Sequence, residues 1–301
     1  MTEDTWSDRD GSDYIPRIYH DWIAGDGDDQ RTFLLDVEGE DAVAGVLQAV
    51  LLSEHESWMQ GMRVNSRYRG MGLSTRLQRQ AFEWARERGS TVARNMVFSW
   101  NVAGLGGSRA AGFDPCTEFR WAHPDPDADA GSETGAGTST VEVAAEGDAD
   151  PDAAWSFWNA GAARDHLRGL VLDAEESWAV SELTRERLRA VADDGRLFVA
   201  RDDGTRGFTY RNRTYDRPNE DGEVVTWAEY AVGAWDTPAA CEALLRAVSR
   251  DAAGVDADRT RVYVPERVRW VSDVAAARVR VSDEPDFVMA ADLTRDSLVE
   301  N

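Results

Sequence analysis

Twelve residues, Met62-Arg63-Val64-Asn65-Ser66-Arg67-Tyr68-Arg69-Gly70-Met71-Gly72-Leu73, combine two glycines with three arginines, of which Arg67 and Arg69 are closely spaced. Glycine lets a backbone turn tightly and approach a ligand closely. Amides that open a helix point several N–H groups at one spot, with the helix dipole behind them, which makes an anion site. Arg67 and Arg69 add bidentate, charged donors. The chemistry this run offers is the holding of a phosphate or pyrophosphate. A P-loop would need Gly-Lys-Ser/Thr, and the chain has no lysine. A dinucleotide fingerprint would need a third glycine where Thr75 stands.

The flanking elements are of the kind that would position such a run. Residues 58–64 read as a strand running into it. Leu73, Leu77, Ala81, Phe82 and Ala85 follow at helical spacing, with Gly89 as a C-cap. Ahead of the strand come an amphipathic helix over 14–23 and strands over 32–37 and 43–52. Behind the helix come a strand over 91–98, a short helix over 101–111 weakened by three glycines, and a strand over 113–122. The stretch 124–138 is rich in Asp, Gly and Ser and reads as a linker between domains 1–123 and 139–301. The second half repeats the order: helices over 151–163 and 183–191, strands over 197–200, 208–215 and 224–232, a helix over 238–252, a strand over 262–264, a helix over 271–279 and a last strand over 287–290. Two cycles in one order suggest a duplicated α/β fold on a mixed sheet.

Composition narrows the function further. Acidic residues number 56 against 33 basic ones, all of them arginine, for a net charge of -23. Such a surface suits a halophilic protein, since at about 1 M salt the Debye length is about 3 Å and self-repulsion is screened. It argues against nucleic-acid partners, which need a basic footprint, and against anionic membranes. Residues 1–13 lack the basic start and apolar middle of a signal peptide, so a cytoplasmic location is expected. Cys116 and Cys241 make neither a disulfide framework nor a metal spacing, and no metal site is expected.

Val64 followed by Arg67-Tyr68-Arg69-Gly70-Met71-Gly72 resembles the pyrophosphate signature of the GNAT acetyltransferases. Asn101 opening a short helix that ends at Gly112-Phe113 resembles the same family, so the resemblance covers roughly residues 14–122. Tyr14-Ile15-Pro16 and Met59 to Val64 are similar to its histidine N-acetyltransferase subgroup. The resemblance implies acetyl-coenzyme A as co-substrate, held between two splayed parallel strands by Met62, Arg63, Val64, Arg67, Arg69, Gly70, Met71, Gly72, Leu73 and Asn101. It implies direct attack of an amine on the thioester, with a backbone N–H near Met62 stabilising the oxyanion. The expected acceptor is the amine of a small molecule, with an amino acid as one candidate; a protein or peptide acetyltransferase and a non-enzymatic coenzyme A sensor stand as alternatives. The family's usual tyrosine acid is replaced by Ser108, and its strand glutamate by Gln60. Glu54, His55 and Glu56 remain as candidate bases acting through water. In the second half, Ala234-Trp235-Asp236-Thr237-Pro238-Ala239 replaces the signature, so that half reads as a degenerate GNAT-like domain.

Overall fold

The computed structural model describes residues 13–40, 42–131, 140–219 and 221–295. The expected linker lies within these only as far as residue 131. There it is hydrogen-bonded: the Asp127 N–H donates to the Ser249 carbonyl at 3.0 Å, and Arg250 donates to the Ala130 carbonyl at 2.5 Å.

In chain order the first elements are α1 (Ile15–Gly25), β1 (Gln30–Asp36), β2 (Val43–Leu51), β3 (Glu56–Val64), α2 (Leu73–Arg86), β4 (Val92–Phe98), α3 (Val102–Ala111) and β5 (Asp114–His123). They are followed by β6 (Glu142–Ala144), α4 (Pro151–Ala160), α5 (Ala162–Leu167), β7 (Leu170–Leu172), β8 (Val180–Glu182) and α6 (Arg185–Asp193). Then come β9 (Leu197–Arg201), β10 (Thr205–Pro218), β11 (Val224–Tyr230), β12 (Ala234–Trp235), α7 (Pro238–Gly254), β13 (Arg259–Pro265), α8 (Val268–Ala276), β14 (Arg280–Val281) and β15 (Asp286–Asp292).

Contacts divide the chain into residues 1–116 with 287–301, and residues 117–286. The first unit is therefore discontinuous. Its sheet runs β1-β2-β3-β4-β15. β1 to β3 are antiparallel neighbours and β3 pairs β4 in parallel. Leu77, Ala81, Phe82 and Ala85 of α2 recur on one face and bury against Leu47, Ala49, Met59, Ala93 and Val97 of the sheet. Met289, Ala291 and Leu293, from the far end of the chain, complete that core. On the opposite face Ile15 and Trp22 of α1 pack on Val46.

The second unit repeats the pattern. β9, β10 and β11 are antiparallel neighbours, α7 follows, and β11 pairs β13 in parallel. β5 then lies beside β13, matching Phe119–Ala122 to Pro265–Val262, and β14 pairs its far end. Each sheet thus places next to its second parallel strand a strand from a distant part of the chain. Where 151–163 reads as one helix, Gly161 leaves helical geometry and splits it into α4 and α5. The β7–β8 pair, three residues each, is too short to show a period.

Candidate active site

The ladder between β3 and β4 is confined to Glu56↔Val92, Ser57↔Ala93 and Trp58↔Arg94. β3 stays paired to β2 as far as Val64. Its C-terminal half therefore lies past the ladder to β4, where an extended ligand can add backbone hydrogen bonds. The closed end is pinned by a buried ion pair of Arg94 with Glu56, whose other oxygen accepts from Ser53 Oγ at 3.1 Å. The Thr91 N–H also donates to the His55 carbonyl at 2.9 Å.

Within the open half, β3 carries a bulge. Val46 faces Arg63 and Gln48 faces Gln60, so Gly61 and Met62 share Leu47 as their partner. Gly61 takes φ +65, and a Cβ there would lie 2.3 Å from the Trp22 ring. Only glycine meets both demands. The bulge interrupts the β2–β3 register at Gly61 and Met62.

Past β3, Asn65 Oδ1 accepts the Arg67 N–H at 3.1 Å and starts a single 3-10 turn over Ser66–Tyr68. Gly70 and Gly72 follow at φ +78 and +73, with nothing within 4 Å of an added Cβ at either. Backbone conformation, rather than crowding, requires glycine here. Gly72 is the N-cap of α2, and no side chain caps the helix. The first amides of α2 thus face open space with the helix dipole behind them. Arg69 is exposed, and Met71 is 68% exposed. Arg67 pairs with Glu40 at 3.3 Å. The Arg63 guanidinium is turned away, held by Asp13 at 3.0 Å and by the Met62 carbonyl at 2.9 Å.

Asn101 caps α3 by accepting the Gly104 N–H at 2.9 Å, which is a sufficient structural reason for it. Ser108 is buried on α3, and its Oγ accepts from Asn95 Nδ2 at 3.1 Å. Asn95 lies on β4 just past its ladder to β3. It is a functional candidate that the sequence reading missed, although a polar residue alternating with Ala93 and Val97 on the core-facing side was a visible signal. Glu54 and His55 are exposed just before β3, and Glu56 is locked to Arg94. At about 3.3 Å per residue, some 20 Å of strand separates Glu56 from Met62. The structure brings Met62, Val64 and the loop to the open end of the strands and leaves Glu54, His55 and Glu56 at the closed end. Trp58 on β3 is buried, and Trp100 stacks on Phe98.

The counterpart in the second unit is closed. Its parallel ladder runs from Trp227↔Arg259 to Tyr230↔Val262, and the Gly233 N–H donates to the Tyr263 carbonyl at 2.7 Å. Fully buried Glu229 bridges the two strands to Arg261 and is also paired with Arg213 at 2.9 Å. The start of α7 is occupied: Thr237 Oγ1 accepts the Ala240 N–H at 3.2 Å, Pro238 supplies no N–H, and Asp236 pairs with Arg206. Among the described residues no group of three or more His, Cys, Asp or Glu could hold a metal ion, and no helix is long and apolar enough to cross a membrane.

Residues 1–105 match the acetyltransferase (GNAT) family model. Residues 1–105 therefore carry a GNAT-family domain. The fold of nearly the whole chain is similar to a GCN5-related N-acetyltransferase from Sphaerobacter thermophilus, at 16% identity over 94% of this chain and 86% of that one, with a TM-score of 0.56. It is also similar to a tandem GNAT protein from the clavulanic acid biosynthesis pathway, at 13% identity over 88% of this chain and 83% of that one, with a TM-score of 0.51. A GCN5-related glucosamine N-acetyltransferase region of a fungal multi-domain GH3 β-N-acetylglucosaminidase shares the fold at 12% identity and a TM-score of 0.57, covering 96% of this chain and 36% of that one. No curated protein matches the chain in sequence. The tandem neighbour agrees in fold with the repeated order of elements seen here, of which the family model matches the first copy only.

A direct check on the phosphate loop follows from Gly70. Gly70→Val is expected to weaken acetyl-coenzyme A binding by tenfold or more, because a left-handed, branched residue costs about 1–2 kcal/mol and would carry bulk into the ligand's space. Calorimetry on the folded variant checks it; unchanged affinity would mean the phosphates bind elsewhere.

Proposed function

We propose that the protein transfers the acetyl group of acetyl-coenzyme A directly to the amine of a small molecule. The observation that carries this reading is the separation of β3 from β4 beyond Trp58 and Arg94, beside the uncapped start of α2. Past the ladder to β4, β3 offers backbone hydrogen bonds at Met62 and Val64 to the pantetheine arm. The amides that open α2, with Arg67 and Arg69, offer donors to the pyrophosphate. The bulge at Gly61 and Met62 aims an N–H at the carbonyl oxygen as it gains charge. The acceptor nitrogen attacks the thioester carbon as a neutral amine, the C–S bond breaks, the nitrogen gives up a proton, and the leaving thiolate takes one up, so no net proton is consumed. Ser108 is the group assigned to relay that proton: Asn95 donates to its Oγ, so its own hydrogen is free to point elsewhere. The wealth of carboxylates suits work at high salt.

A panel of free amino acids, other small amines and peptides, assayed in high salt by thiol release, tests the reading. Turnover is expected on a small amine. Turnover on peptides alone would favour a protein acetyltransferase, and coenzyme binding without turnover on any amine would favour a sensor. Ser108→Ala is expected to lower kcat by about 10²-fold with little change in KM, the lower range for loss of a general acid. A kcat within twofold of the parent would remove Ser108 from the mechanism.

A further inference from the structure

One charged group stands at the phosphate loop without a part in the reaction: Glu40, at the turn between β1 and β2. A single oxygen, Oε2, accepts from Arg67 Nη1 at 3.3 Å and from the Tyr68 hydroxyl at 2.8 Å. Both partners belong to the loop that precedes Gly70. The hydrogen bond to Glu40 holds the Tyr68 phenol above its ordinary pKa, with the nearby negative charge adding to the effect. The Arg67 and Glu40 side chains are 72% and 47% exposed. A pair this open contributes little to the fold and exchanges readily.

A carboxylate and a phosphate oxygen present the same acceptor chemistry to a guanidinium. If both sought Arg67, two anions would have to lie within a few ångströms of each other and would repel. We propose that Glu40 competes with the coenzyme's phosphate groups for Arg67, and so sets both the affinity of the coenzyme site and its response to salt. This rests on the function proposed above. Glu40 occupies the guanidinium until a phosphate displaces it, and at high ionic strength the repulsion is screened away. The net effect is a coenzyme site weaker in dilute salt than its arginines alone would make it.

The test is the Kd of acetyl-coenzyme A, measured by calorimetry on the full chain and on Glu40→Gln and Arg67→Gln, singly and together. Measurements run from the lowest salt at which circular dichroism shows the folded protein up to several molar. Glu40→Gln is expected to bind about two- to fivefold tighter at the low end, the range measured for exposed charge pairs. The gain should vanish at high salt and shrink in the Arg67→Gln background. Tighter binding cannot be mistaken for damage to the fold. Equal or weaker binding by Glu40→Gln at low salt, with the parent binding normally, overturns the competition. A gain that persists undiminished without Arg67 does so as well. A parent chain that binds no coenzyme in any salt overturns the function reading and this inference together.

Discussion

Deleting residues 287–301 is expected to unfold the first unit and abolish coenzyme binding, although every signature residue would remain in the chain. β15 is the neighbour of β4 in that unit's sheet. Val288, Met289, Ala291 and Leu293 are each no more than 3% exposed. The three larger side chains alone contribute about 1.5–3 kcal/mol apiece by burial, or about 5–9 kcal/mol together. That approaches the whole stability of an ordinary domain, about 5–15 kcal/mol. The backbone also loses its partners, among them the Leu293 N–H that donates to the Thr91 carbonyl at 2.9 Å. A fragment of residues 1–123 should fail for the same reason. Thermal melts followed by circular dichroism check both, and a truncated chain that melted like the parent and still bound acetyl-coenzyme A would refute the discontinuous unit. Leu293→Ala offers a milder version, with a loss of about 2–5 kcal/mol.

The second large effect is expected at Gly61. A Cβ there would meet the Trp22 ring at 2.3 Å, and φ is +65. Gly61→Ala should therefore cost about 1–3 kcal/mol by overpacking and about 1–2 kcal/mol more by backbone conformation. If the bulge aims the oxyanion donor, kcat should fall by about 10²–10³-fold, the usual consequence of losing one such donor. Shrinking the ring in a Gly61→Ala, Trp22→Leu double variant should not restore kcat, because the φ conflict remains. Parent-like kcat in the folded Gly61→Ala variant would show that the bulge plays no part in the chemistry.

Much of the site was legible because its causes are local. The glycines at 70 and 72 answer a positive φ, and Asn101 answers the need of a helix for a cap; each shows in a few consecutive residues. The core face of α2 follows from Leu77, Ala81, Phe82 and Ala85 alone. What was hidden depends on pairing across the chain. The run from 287 to 290 announces a strand, but nothing in Phe-Val-Met-Ala says which sheet receives it. The positions of Glu54, His55 and Glu56 turned on which end of β3 is paired, and that is fixed by a ladder to residues 92–94. Arg94 and Glu56 could be read as surface charges until the structure put them together in the interior. Closure of the second unit was half visible: Asp236 and Pro238 announced an unsuitable helix start, whereas the bridge from Glu229 to Arg261 joins residues 32 apart in sequence.

Coenzyme binding should follow one asymmetry, an open pair of parallel strands in the first unit and a closed pair in the second. Isothermal titration of the full chain with acetyl-coenzyme A in high salt measures it. One equivalent should bind, and Gly70→Val should remove or sharply weaken that single site while leaving no residual tight binding. Two equivalents per chain, tight binding that survives Gly70→Val, or no binding by the folded protein would contradict it.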